Sequence, residues 1–130
     1  MKYKQLIELA EKARERSYSP YSDYTVGAAL LCADGEIFTG CNIENASYTP
    51  TCCAERVAVF KAISEGKTAF EAIAVSGGKR GERAESRCYP CGVCRQVLSE
   101  FCSSDFSVVF YDGSACKLEE LLPHSFKLKD

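Results

Sequence analysis

The chain has 130 residues, 46% of them hydrophobic, and a formal net charge of −2. A chain of this length buries roughly two-thirds of its unfolded surface, enough for a single domain over residues 1–130, and its apolar content excludes disorder. The weak acidic balance excludes a built-in pull on nucleic acid, apolar runs such as 27–33 are too short to span a membrane, and the N-terminus lacks a signal peptide's apolar core, so the expectation is a cytoplasmic protein with no nucleic-acid or membrane partner.

In chain order, residues 3 to about 16 read as a helix, with Tyr3, Leu6, Ile7, Ala10 and Ala13 at helical spacing. The run Ser17-Tyr18-Ser19-Pro20-Tyr21-Ser22 breaks it. Residues 25–33 read as a buried strand, Asp34-Gly35 as a hairpin turn and 36–41 as the returning strand. A polar loop covers 42–50. Residues 53 to about 65 form a helix stopped by Gly66, and 70–76 a third strand. A Gly- and charge-rich loop over 77–90 leads to a helix over 91–102. A strand over 107–111, a turn at Asp112-Gly113, a short strand over 115–118 and a short helix over 119–122, closed by Pro123, complete the chain. Strands alternating with helices predict an α/β fold, a sheet covered by helices. The first strand pair is a hairpin, so the sheet is mixed, and the later strand-helix-strand units predict parallel crossovers. Both cysteine-bearing helix starts then fall at one end of the sheet, where such folds bind ligands.

Nine cysteines are present, an odd count that argues against a secreted disulfide framework. Cys32, Cys41, Cys102 and Cys116 are scattered and read as small buried hydrophobes. The others concentrate in two stretches: Thr51-Cys52-Cys53-Ala54-Glu55-Arg56 and Cys88-Tyr89-Pro90-Cys91-Gly92-Val93-Cys94. Cys53, Cys91 and Cys94 can supply three thiolates to a zinc ion and leave one position open for water. Cys91 and Cys94 are three residues apart on a first helical turn, which puts their sulfurs on one side. Helix N-termini favour thiolates, and Arg56 and Arg95 are near enough in sequence to offset the excess negative charge. Glu55 follows Cys53 by two residues, where a carboxylate can shuttle protons beside an activated water. Spacing alone leaves a second arrangement open, a closed site in which Cys88 joins Cys53, Cys91 and Cys94. Cys52 reads as a free thiol or an alternate ligand.

The Cys-Ala-Glu-Arg and Pro-Cys-x-x-Cys segments resemble those of zinc deaminases. With Tyr18-Ser19-Pro20-Tyr21-Ser22, Val26-Gly27-Ala28-Ala29-Leu30, the run Gly40 to Tyr48 and Glu119-Glu120-Leu121-Leu122-Pro123, nearly the whole chain resembles the cytidine deaminase family, in its small homotetrameric type with three cysteine ligands. The resemblance implies a three-layer α/β/α fold with a mixed five-stranded sheet and one zinc per chain. It also implies hydrolysis of cytidine and 2′-deoxycytidine to the uracil nucleosides and ammonia. By the same resemblance, Glu55 is catalytic, Asn42 and Glu44 hold the ribose hydroxyls, and Tyr24, Ala54 and Tyr48 contact the nucleoside. Arg56 hydrogen-bonds the thiolates, and Phe126 reaches a neighbouring subunit's site. Two alternatives stand beside it: a deaminase of blasticidin-type nucleoside antibiotics, and a non-catalytic module stabilised by four-cysteine zinc. His124, the only histidine, reads as a surface residue, and the run Lys79-Arg80-Gly81-Glu82-Arg83 as a solvated loop.

Overall fold

A computed structural model describes residues 2–128. Helix α1 (Lys4–Ala13) continues into a 3₁₀ turn at Arg14–Arg16 and is followed by β1 (Tyr24–Cys32) and β2 (Ile37–Cys41). Then come α2 (Ala54–Ser64), β3 (Phe70–Lys79), α3 (Gly92–Phe101), β4 (Ser107–Phe110), β5 (Ala115–Lys117) and α4 (Leu118–Leu121). The five strands form one sheet in the order β2-β1-β3-β4-β5. The expected element order holds, and the sheet is mixed.

Alternation along the strands builds the layers. Ala28, Leu30 and Cys32 of β1, Ile73 and Val75 of β3, and Val108 and Phe110 of β4 share one face, against Ala54, Ala58 and Val59 of α2 and Leu98 of α3. Ala29, Ala72, Ala74 and Val109 fill the other face, under Leu6 and Ala10 of α1. Small residues dominate this second face because α1 packs close to the sheet. At Gly27, a Cβ would stand 2.0 Å from the Ala10 carbonyl oxygen. Cys32 and Cys102 are buried as expected, whereas Cys41 and Cys116 are only partly covered.

The expected parallel crossovers hold, and two details go beyond the sequence reading. The first is strand order. β1 lies between β2 and β3 and is antiparallel to both, so the crossover through α2 joins strands that are parallel but not adjacent. Only β3 and β4 pair side by side in parallel, while β4 and β5 form an antiparallel hairpin. The second is the length of β3, which extends through Gly77 and Gly78 to Lys79, opposite Tyr24. These glycines resemble loop composition, yet they serve close packing. A Cβ at Gly77 would lie 2.9 Å from Cys88 Sγ, and one at Gly78 2.8 Å from an Arg14 guanidinium nitrogen. The pairing of Tyr24 with Lys79 sets the start of β1 and the end of β3 at one end of the sheet, toward which β2 and β4 also run. No helix among the described residues is long and apolar enough to cross a membrane.

Candidate active site

The start of α2 is pinned by the sheet beneath it. A Cβ at Gly40 of β2 would lie 2.5 Å from the Ala54 carbonyl oxygen and 2.6 Å from the Ala58 nitrogen, so only glycine lets the first turn approach this closely. Cys53 is the N-cap of α2, with an extended backbone and no capping bond from its side chain, which leaves the sulfur free. Cys91 is the N-cap of α3, and its sulfur accepts a hydrogen bond from the Cys94 N–H at 3.5 Å. The two helix starts converge. Cys53 Sγ lies 3.8 Å from Cys91 Sγ, and Cys91 Sγ lies 3.5 Å from Cys94 Sγ.

All three sulfurs fall within 4.8 Å of one another. A tetrahedral zinc with bonds of about 2.3 Å holds its thiolates about 3.8 Å apart, so this donor set fits zinc and leaves a fourth position open. The closed four-cysteine arrangement is not formed, because Cys88 and Cys52 stand outside the group found among the described residues. Cys88 packs instead beside Gly77, and burial pushes its thiol up to about 11. The backbone of Cys52 pairs with Ile43 through two bonds of 2.9 Å, and burial raises its thiol as well.

Arg56, one turn into α2, donates from Nη2 to Cys53 Sγ at 3.4 Å and to the Thr51 carbonyl at 3.4 Å. Its buried Nε has no hydrogen-bond partner among the described residues, so one guanidinium N–H is left without an acceptor. The Cys94 thiol, and then the Arg56 guanidinium, hold the Cys53 thiol below the usual thiol range. Three thiolates and a zinc dication sum to −1, and Arg56 offsets that excess. Arg95 does not share the task as its position suggested. It donates from Nε to the Pro90 carbonyl at 2.7 Å and from Nη1 to the Leu121 carbonyl at 2.9 Å, tying α3 to α4. Glu55 is 4% exposed, and burial pushes its carboxyl up to about 7, with the charge on Cys53 acting in the same direction. Such a group can hold or release a proton near neutrality.

A second group of residues adjoins the first. The pairing of Ile43 with Cys52 zips the segment carrying Asn42 and Glu44 to the residue before Cys53. Asn42 clamps β1: Oδ1 accepts from the Val26 N–H at 2.9 Å and from the Ser17 hydroxyl, and Nδ2 donates to the Tyr24 carbonyl at 2.9 Å. Glu44 Oε1 accepts from the backbone N–H of Tyr21 at 2.9 Å and of Ser22 at 3.2 Å, and Oε2 accepts from the Ser22 hydroxyl. These bonds, the Ser22 hydroxyl first, hold the Glu44 carboxyl below the usual carboxylate range. Tyr21, Ser22, Glu44, Tyr48 and Thr51 line a cleft of about 340 Å³. The Tyr24 ring lies against Gly77, with Cε2 3.1 Å from where a Cβ there would be.

Ala54 is buried at the first position of α2. Tyr48 is exposed at the cleft, edge-to-face with Tyr21 at 6.2 Å between ring centroids. Phe126 is 66% exposed on the tail, held by Gln96 Nε2 donating to its carbonyl at 3.0 Å. His124 is exposed, as expected. The run 79–83 is not merely solvated. Arg80 donates from Nε to Asp23 Oδ1 at 3.0 Å, from Nη2 to the buried Ser19 hydroxyl at 2.7 Å, and from its backbone N–H to the Asp23 carbonyl at 2.9 Å. Sequence reasoning passed over Ser22 and Arg80. Ser22 stood in a polar, Pro-containing run read as a helix break, and Arg80 in a charged run read as a solvated loop.

The family model for the cytidine and deoxycytidylate deaminase zinc-binding region matches residues 1–110. The chain belongs to this family. Among similar proteins, a cytidine deaminase of Sporosarcina psychrophila is 45% identical, over 100% of this chain and 95% of that protein. A crystal structure of cytidine deaminase from Burkholderia pseudomallei superposes with a TM-score of 0.86 at 44% identity, covering 97% of this chain and 100% of that one. A blasticidin-S deaminase of Bacillus cereus is also similar, at 32% identity over 90% of this chain and 89% of that protein. Family membership and the three-sulfur cluster together make this a zinc deaminase fold with a three-cysteine metal site.

Proposed function

We propose that the chain is a zinc-dependent cytidine deaminase, a single domain that hydrolyses cytidine and 2′-deoxycytidine to uridine and 2′-deoxyuridine with release of ammonia. The observation that carries this reading is the buried Glu55 beside three sulfurs that fit an open zinc site. A zinc ion held by Cys53, Cys91 and Cys94 supplies a Lewis acid that makes water a nucleophile near neutral pH. Glu55 takes a proton from the attacking water and delivers it to N3 of the pyrimidine. The water oxygen bonds to C4. Glu55 then takes the second proton and passes it to the amine, the C4–N bond breaks, and ammonia leaves. Arg56 draws charge from the Cys53 sulfur throughout, and the helix starts that carry Cys53 and Cys91 add to that effect.

Sugar recognition falls to Asn42 and Glu44. After its contacts within the chain, Asn42 keeps one Nδ2–H to donate. Glu44 keeps about one acceptor site on Oε2. One donor and one acceptor complement a single hydroxyl, and the 3′-hydroxyl is common to the ribose and deoxyribose forms, so both nucleosides fit. Tyr24 and Ala54 face the base. Tyr48 and Phe126 serve sites completed between subunits of a homotetramer, in keeping with their exposure, at 71% and 66%. The setting is the cytoplasm.

The test is direct. Purified protein is mixed with cytidine, deoxycytidine or blasticidin S, conversion is followed by ultraviolet absorbance, and metal content and molar mass are measured. The expected result is turnover of both nucleosides, one zinc per chain and a tetramer by light scattering. Turnover of blasticidin S alone would favour the antibiotic deaminase, and inertness on every cytosine nucleoside would leave only a zinc-stabilised module.

A further inference from the structure

The turn Ser17–Tyr24 carries a hydroxyl that neither the chemistry nor the sugar contacts described above employ. Ser22 Oγ donates to Glu44 Oε2 and accepts the Tyr24 N–H at 3.1 Å. The backbone N–H groups of Tyr21 and Ser22 fix the other oxygen of the same carboxylate. One side chain therefore sets the orientation of the carboxylate and the start of β1, where the Tyr24 ring lies against Gly77. A serine suits this double duty, since a hydroxyl donates once while accepting elsewhere. The left-handed backbone of Asp23, at φ 57°, brings Ser22 and Tyr24 close enough for the second bond. Arg80 braces the turn from outside, through Asp23 and Ser19.

We propose that Ser22 is a positioning residue for substrate recognition: its hydroxyl turns the Glu44 carboxylate toward the nucleoside's sugar hydroxyl and ties that carboxylate to the backbone of the base-facing Tyr24. The inference rests on the reading of Glu44 as the sugar-binding carboxylate. An ionised carboxylate without this partner keeps its two backbone donors on Oε1 but swings Oε2 freely. The acceptor site left for substrate is then no longer aimed. The loss belongs to binding through the sugar and leaves the proton transfers at Glu55 untouched.

The experiment compares wild type, Ser22→Ala and Ser22→Thr on cytidine and on 2′,3′-dideoxycytidine, which lacks both secondary sugar hydroxyls. Ser22→Ala is expected to lower kcat/KM for cytidine about tenfold, as for a lost hydrogen bond to a charged group, through KM and with kcat little changed. On dideoxycytidine the change should stay under about twofold, because no hydroxyl meets the carboxylate. Ser22→Thr keeps the hydroxyl and should retain most of the wild-type value. In a Glu44→Ala background, Ser22→Ala should add almost nothing, as expected for two groups acting as a unit. An equal loss on both nucleosides would overturn the proposal by showing general disorder of the turn, as would full additivity with Glu44→Ala. A wild type active on cytidine with an unimpaired Ser22→Ala variant defeats this inference alone. A wild type inert on every cytosine nucleoside defeats the deaminase reading and this inference with it.

Discussion

The sulfur cluster and the Glu44 cradle adjoin in space yet are built from different materials. The cluster is made by backbone packing. Gly40 lets α2 press on β2, helix starts deliver Cys53 and Cys91, and the first turn of α3 adds Cys94. The cradle is made by side chains reaching across long sequence separations to backbone groups. Glu44 reaches the 21–22 turn, Asn42 reaches Tyr24 and Val26, and Arg80 reaches Asp23 and Ser19. On the proposed function, the first construction fixes the atoms that hold a metal and a proton carrier, and the second presents donors and acceptors to a substrate that arrives and leaves. Damage to the first should therefore appear as lost metal or lost kcat, and damage to the second as raised KM.

The largest effect should follow removal of a sulfur. Cys91→Ala leaves two sulfurs, too few for a stable three-ligand site, and is expected to abolish both zinc content by atomic absorption and deamination. A variant that keeps zinc and turnover would break the contrast at its root. Gly40→Ala should come next. The added methyl group meets the backbone of α2 at 2.5 Å, so α2 must shift at a cost of about 1–3 kcal/mol, read as a lower Tm, with kcat falling because Cys53 and Glu55 move with the helix. A variant of unchanged Tm and kcat would show that the packing at Gly40 does not set the site. Arg80→Ala sits on the cradle side and should be mildest. Its ion pair with Asp23 is exposed, so KM for cytidine should rise about twofold to threefold with kcat intact. A fall in kcat without a change in KM would place Arg80 with the cluster instead.

The same contrast decides what could be read from sequence. Cys53, Glu55, Arg56, Cys91 and Cys94 were legible because their relations are local: ligands at helix starts, a carboxylate two residues on, an arginine one turn in. The buried strand β1, the Asp34-Gly35 hairpin and the stop at Gly66 were legible for the same reason. The extent of β3 was not, because Gly77 and Gly78 look like loop residues until Cys88 and Arg14 are seen beside them. The place of β1 between β2 and β3 was hidden because strand order is a long-range property. Ser22 and Arg80 were hidden too, since a serine in a turn and an arginine in a charged loop carry no sign of partners 22 and 57 residues away. Arg95 misled because proximity in sequence to Cys94 does not say which way a guanidinium points. Cys52, the unexplained neighbour of Cys53, owes its position to its backbone, which is the rung joining the two regions.

The most direct measurement is turnover and metal content of Glu55→Ala on cytidine. Glu55 is not among the sulfur ligands, so the variant should keep one zinc per chain, while kcat should fall by about 10²–10⁴, the range for loss of a positioned general acid–base. Wild-type kcat in a variant that retains its zinc would contradict the account.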